Sequence, residues 1–251
     1  MIKIVYMKKI ITLLVLTVIM AMAWSQNTTT ATAAAEFKNM VTFTAPGDMK
    51  IPKGVTRIMV EVWGAGGGGS SVGGGGGGGY GKAILLVAEE STVSVIVGAA
   101  GGGGDVRGGD GGPSVVNYKP LSNPTATYAF QAYGGSGSVH HNGVSQSGLG
   151  GAGANSTGSM VGFYSHPGED GQLYTDTYQQ SGTNAVVTRN AGKGGNAGNT
   201  MYTGGRGGVA INPSSPTYVR RGATGKRPGG GGGGGVDRGY QGGHGMVIIH
   251  Y

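Results

Sequence analysis

Few residues of this chain have the type and spacing to do chemistry, and most of those lose the role when their neighbours are read. Gly64-Ala65-Gly66-Gly67-Gly68-Gly69 satisfies the G-x-G-x-x-G pattern and follows an apolar run ending at Trp63, as a dinucleotide-binding turn would. Such a turn must open a helix whose N-terminus meets the pyrophosphate. Here Ser70-Ser71-Val72 and seven more glycines follow, and glycine is too unfavourable in a helix for one to form. Gly81-Lys82-Ala83 lacks the Ser or Thr that a P-loop places on magnesium. Asp105 ends a Gly101–Gly104 run as in one calcium-binding β-helix repeat, and Asp110 follows after five residues instead of nine. Those two carboxylates are the calcium candidates. His140, His141, His166, His244 and His250 keep no ligand spacing and read as loop residues. The chain has no cysteine, no G-x-S-x-G elbow and no carboxylate pair placed by identifiable structure. The expectation is a protein that is not an enzyme, with no catalytic residues and no cofactor.

Aromatic side chains offer recognition instead. Tyr164, His166, Tyr174, Tyr178, Tyr202 and Tyr218 lie between glycine runs among Asn, Ser, Thr and Pro, the composition of surface loops. Tyrosines on a rigid scaffold bind sugars or proteins at low entropic cost, and they equally cover the sides of the scaffold.

That scaffold must come from glycine, which supplies 58 of 251 residues without a collagen repeat, so the chain is either low-complexity disorder or a glycine architecture. The spacing favours architecture. In Gly108-Gly109-Asp110-Gly111-Gly112 a three-residue turn puts glycine on two facets and Asp110 on the third, and Gly204-Gly205-Arg206-Gly207-Gly208 repeats this with Arg206 outward. Gly192, Gly195 and Gly198 share one facet of the next such tract. An isolated extended helix of three residues per turn has no internal hydrogen bonds. Its N–H and C=O groups must therefore find neighbouring tracts, as in a polyglycine II bundle.

Strands bracket the glycine-rich middle. Phe37, Val41 and Phe43 precede a turn at Ala45–Asp48; Val55–Trp63 alternates with Ile58, Val60 and Val62 on one face; Tyr80–Val87 and Val93–Val97 read as a second pair; and Met246–Tyr251 closes the chain. At the start, Lys8-Lys9, the apolar run Ile10–Met22 and Ala23-Trp24-Ser25 read as a signal peptide cleaved before Gln26. Residues 26–36 are then a flexible leader and 37–251 one domain, with a β-layer at 37–97 plus 246–251 and the bundle and its loops at 98–245. Removing Lys3, Lys8 and Lys9 from 18 basic residues leaves 15 against 11 acidic, a net charge of +4. That balance is too small and dispersed to argue for nucleic acid.

The series PGDMKIPKGVTRIMVEVWGAGGGG, GGGGGYGKA, VSVIVGAAGGGG, GGDGGPSVV, GGAGA, GGRGGVAI and GGHGMVIIHY resembles the bacterial and phage glycine-rich domain over residues 37–251. The resemblance implies a polyglycine II bundle capped by β-strands, as in secreted surface proteins and phage fibre-tip adhesins. The signal peptide, which phage members lack, points to a cell-encoded exported protein. The expected fold is all-β and irregular, a small β-sandwich-like strand layer with a polyglycine II helix bundle. The expected function is secreted and structural or adhesive: a self-associating subunit of an extracellular fibre or matrix. Alternatives are a binding module for a cell-surface glycan or protein through the tyrosine loops, and ice binding. No nucleic acid and, after cleavage, no membrane is expected as partner.

Overall fold

Period-two alternation of apolar residues builds the strands of this protein. The computed structural model describes residues 37–251 except 159, 182, 183, 202 and 212–216. Of Ser181, Asn184, Ala185, Thr217 and Tyr218 it describes the backbone alone. The strands are β1 (Met40–Phe43), β2 (Gly47–Lys50), β3 (Arg57–Trp63), β4 (Tyr80–Leu86), β5 (Thr92–Ile96), β6 (Ser114–Tyr118), β7 (Tyr128–Ala132) and β8 (Val139–His141). They continue as β9 (Val144–Gln146), β10 (Ala154–Ser156), β11 (Val161–His166), β12 (Thr175–Ser181), β13 (Asn184–Asn190), β14 (Val209–Ile211), β15 (Thr217–Arg220) and β16 (Met246–His250). The fold is all-β, and no helix among the described residues is long and apolar enough to cross a membrane.

Two five-stranded antiparallel sheets, β1-β16-β3-β4-β11 and β10-β7-β6-β5-β2, face each other as a sandwich. Ile58, Val60 and Val62 of β3 meet Val116 of β6 and Phe130 of β7 in the core, all at 0% exposure. Leu85, Val93, Val247 and Ile249 are equally buried. A four-stranded sheet, β12-β13-β14-β15, and the β8-β9 hairpin complete the set. Residues 40–250 form one compact unit; in the other, Asn39 and Tyr251 exchange backbone hydrogen bonds of 2.9 and 3.0 Å.

Two expectations change. Residues 80–87 and 93–97 do not pair: β4 lies between β3 and β11, and β5 lies between β2 and β6 in the opposite sheet. The turn at residues 88–91, with Glu90 at φ 56°, carries the chain across the sandwich. Nor is the region 98–245 only bundle and loop, because β6, β7 and β10–β15 lie within it. Tyr118 and Phe130 are among the largest fully buried side chains. Their polar neighbours, Asn117 and Gln131, occupy the opposite face, so a strand that buries one face reads as a loop by composition.

The glycine tracts prolong the strands beyond the sandwich. Chain leaving β3 at Gly64 and returning to β4 at Gly79 forms two antiparallel tracts joined at Gly64 N–H to Gly79 O, Gly67 to Gly76 and Ser70 to Gly73, each 2.9 Å. The partner changes with a three-residue repeat. Gly64 and Gly67 donate to residues 79 and 76, Ala65 and Gly68 to 112 and 109, and Gly66 and Gly69 to 243 and 240. Carbonyls of the same tract accept from three further tracts, through Gly135, Gly101 and Gly232. Tract 73–79 is surrounded in the same way, donating to 172 and 169, to 232 and 229, and to 136 and 133, and accepting from Gly148, Gly195 and Gly64. Each central tract thus has six neighbours. A bond contributes about 1 kcal/mol net, no more than the ~1–2 kcal/mol of backbone entropy lost per residue. No tract would hold alone.

Two tracts escape sequence reading. Residues 166–172 place Gly168 and Gly171 three apart, donating to the Gly151 and Gly148 carbonyls, and residues 222–226 place Gly222 and Gly225 three apart against 234 and 230. The spacing signal is present in both, but only two glycines carry it.

Candidate functional site

A concavity lies where β4 and β11 hand over to the tracts. Trp63 and Tyr80 pair across β3 and β4, their ring centroids 4.8 Å apart, and pack on Ala197, Met246 and Ile248. The buried Trp63 indole N–H donates to the Gly198 carbonyl at 3.1 Å, fixing the turn that follows tract 191–198. In that turn Asn199 takes φ 57°, and the Thr200 hydroxyl donates to the Ala197 carbonyl at 2.7 Å. The Ala197 N–H donates to the Thr203 hydroxyl at 2.9 Å. These bonds hold the turn open against β11, whose His166 sits opposite Tyr80.

Between them is an open cleft of about 550 Å³, lined by Tyr164, His166, Pro167, Glu169, Ala197, Asn199, Thr200 and Met201. Its volume is that of a small-ligand site. Tyr164 stands 49% exposed, its ring centroid 6.0 Å from that of Tyr80 in a T-shaped contact. His166 Nδ1 lies 2.7 Å from the Pro167 carbonyl, which leaves Nε2 to a ligand. Glu169 accepts from the Asn196 side-chain amide at 2.8 Å and its backbone N–H at 3.3 Å through one oxygen, leaving the other. Behind the wall, the Tyr80 hydroxyl donates to Glu61 at 2.7 Å, and His250 Nε2 lies 3.2 Å from the other Glu61 oxygen. Burial pushes the Tyr80 hydroxyl well above its usual range, and the bond to Glu61 pushes the same way. Tyr80 thus stays protonated and engaged with Glu61 behind the wall, and the cleft's own groups are the Tyr164 ring, His166 Nε2 and the second Glu169 oxygen.

The other sequence candidates are scattered. Tyr174 lies under the Arg189 guanidinium at 4.5 Å, and Arg189 grips Asp176 with two bonds of 2.9 and 2.8 Å. That grip holds the Asp176 carboxyl below the ordinary carboxylate range. Tyr178 stands 72% exposed on β12, opposite Val187. Tyr202 and the Tyr218 side chain lie outside the described residues. Of the calcium candidates, Asp110 accepts from the Gly137 N–H at 2.8 Å and pairs with Arg107 at 3.6 Å, and Asp105 is exposed. No group of three or more His, Asp or Glu residues able to hold a metal occurs among the described residues. Added Cβ atoms at Gly108, Gly111, Gly192, Gly195, Gly198, Gly204, Gly205 and Gly207 would run into neighbouring backbone carbonyls. At Gly109, Gly112 and Gly208 they would stand 3.1, 3.2 and 3.1 Å from a neighbouring nitrogen, a tighter fit than most.

Besides Pro167 and Ala197, the cleft residues that sequence reading missed are Glu169, Asn199, Thr200 and Met201. Glu169 was findable through the Gly168–Gly171 spacing, which places residue 169 on a facet of its own. The others sit in a turn whose only signal is tertiary, the Trp63 bond. The model of a family described as glycine-rich domain matches residues 42–251. No curated protein matches the chain.

Proposed function

The chain belongs to the glycine-rich domain family, and from that footing we propose that it is an exported, non-catalytic structural or adhesive protein, cell-encoded in a bacterium, that self-associates outside the cell. In this reading its tracts are a polyglycine II bundle, supported by the three-residue repeat of partners and the six neighbours of each central tract. Export rests on Lys8-Lys9, Ile10–Met22 and Ala23-Trp24-Ser25, which lie outside the described residues. Exported protein should begin at Gln26, and mass spectrometry finding Met1 or Met7 retained would remove that support.

The observation that carries self-association is the edge strand β12. It is seven residues long, ends its sheet, and has the sequence TDTYQQS, without Pro or Lys to block an incoming strand. Its one charge, Asp176, is neutralised by Arg189, and Tyr178 projects into solvent beside it. An unguarded edge of this length suits pairing with a second copy. Electron microscopy and size-exclusion chromatography of the mature protein test it. Filaments or concentration-dependent oligomers are expected, and Thr177→Lys with Gln179→Lys should give monomers. A parent protein that stays monodisperse at every concentration refutes self-association. The Tyr164 cleft favours a second reading, an adhesin that grips a glycan or protein, which predicts that Tyr164→Ala abolishes surface attachment while leaving assembly intact.

A further inference from the structure

Charge in this chain is strongly divided. Residues 201–251 carry six Lys and Arg against one Asp, whereas residues 26–200 carry nine against ten. The six are Arg206, Arg220, Arg221, Lys226, Arg227 and Arg238, all exposed, and among the described residues none is in an ion pair.

Tertiary structure gathers them. Tract 222–226 lies beside tract 203–208 through the Ala223 N–H to Arg206 O bond, and beside tract 238–243 through Gly225 N–H to Gln241 O, both 2.9 Å. A Cβ added at Gly243 would meet the Lys226 carbonyl, and one at Gly222 would stand 2.6 Å from the Tyr240 ring. Tracts 222–226 and 238–243 therefore run side by side in the same direction. Their outward facets step by three: Arg221, Thr224 and Arg227 are exposed on one, Arg238, Gln241 and His244 on the other. At about 3.1 Å per residue, Arg221 and Arg227 stand ~19 Å apart along the column. Arg206 and Arg220 flank the columns on one side. The carboxylates bordering them are Asp237 and, past Gly104 on the next tract, Asp105.

We propose that this two-column face binds an acidic polysaccharide, a linear glycan bearing carboxylate or sulfate groups. Thr224 stands between Arg221 and Arg227, and Gln241 between Arg238 and the His244 ring, so each column sets a neutral hydrogen-bonding side chain beside its positive charge, which suits a polymer that carries hydroxyl groups beside its anionic groups. Single-stranded nucleic acid needs a row of aromatic platforms, and among the described residues the face offers only the half-buried Tyr240. The choice of a glycan also rests on the exported reading, since such polymers are met outside the cell. Backbone hydrogen bonds fix both columns, so little order is lost on binding.

The test uses the mature protein with immobilised heparin and polygalacturonate as acidic probes, dextran as a neutral one and a 20-base-pair DNA duplex as the competitor class. Retention on both acidic probes, released by raised NaCl, and none on dextran are expected. The triple variant Arg221→Glu, Arg227→Glu, Arg238→Glu should bind roughly 30-fold more weakly, as reversing about three exposed ion pairs implies, at an unchanged melting temperature. A charge-matched triple on exposed residues elsewhere, Lys50→Glu, Lys53→Glu, Lys119→Glu, should bind as the parent does. Equal loss in the two triples overturns the face, and so does retention on dextran. Tighter binding to DNA than to heparin at the same salt overturns the glycan. Microscopy of the parent judges assembly separately, so a fibre that binds no polymer and a monomer that does are different failures.

Discussion

Gly207→Val measures how tightly the tracts are packed. Gly207 is buried against tract 191–198, where an added Cβ would overlap the Ala191 carbonyl oxygen and stand 2.7 Å from its carbon and 3.1 Å from the Gly192 oxygen. Two backbone bonds join these tracts, Ala191 N–H to Gly208 O and Gly194 N–H to Gly205 O, each 2.8 Å. Losing both costs about 2 kcal/mol, and forcing a side chain into a close-packed site adds roughly 1–3 kcal/mol. The sum, about 3–5 kcal/mol, is a large share of the ~5–15 kcal/mol that holds a domain folded. At roughly 2–4 °C per kcal/mol for a chain of this size, Tm should fall by roughly 6–20 °C. Arg206→Val, one residue away and exposed, should cost under about 0.5 kcal/mol. Gly102→Val is the control within a glycine tract, because no atom lies within 4 Å of its added Cβ. Thermal unfolding by circular dichroism compares the three. Gly207→Val melting with Arg206→Val, or Gly102→Val losing as much as Gly207→Val, would refute the packing argument.

Deleting Met246–His250 should abolish folding, because β16 sits inside its sheet between β1 and β3 with Val247 and Ile249 fully buried; a truncated chain with native circular dichroism contradicts this. Trp63→Phe keeps an aromatic ring, smaller than the indole, and removes the buried N–H bond to the Gly198 carbonyl, so at least about 1–3 kcal/mol should be lost. Faster hydrogen exchange should then appear at residues 197–201, and an unchanged exchange pattern would argue that the bond does not hold the cleft turn. Arg189 lowers the Asp176 carboxyl in the folded state, so the pair's stabilisation is complete above the unfolded value of about 3.9 and is lost as pH falls through the lower folded value. Acid titration should therefore destabilise the parent more than Asp176→Asn below about pH 4, and parallel curves would show that the pair contributes nothing.

Much of this architecture is legible in residue order. Ile58, Val60 and Val62 announce β3, and the facets of Gly108–Gly112, Gly192–Gly198 and Gly204–Gly208 announce tracts that need neighbours, since a three-residue period is a local property of the chain. Local pattern fails where one face of a strand suffices. Tyr118 and Phe130 are core residues inside segments whose other face is polar, and composition averages the two faces into a loop.

Which tract lies beside which is not local at all. Every glycine presents the same N–H and C=O, so nothing in Gly64–Gly79 specifies Gly243 as the partner of Gly66 or Gly229 as that of Gly78. Those choices are made by the sandwich, whose strand pairings fix where each tract emerges. The same holds for function. Sequence supplied Tyr164 and His166 and a modest positive charge, but the cleft exists because Trp63 ties down Gly198 from across the chain. The excess positive charge of the mature chain lies in residues 201–251, and it becomes a face because side-by-side tracts bring residues 206, 221 and 238 together. Periodicity states which side of a tract is bare; only tertiary packing decides what that side meets.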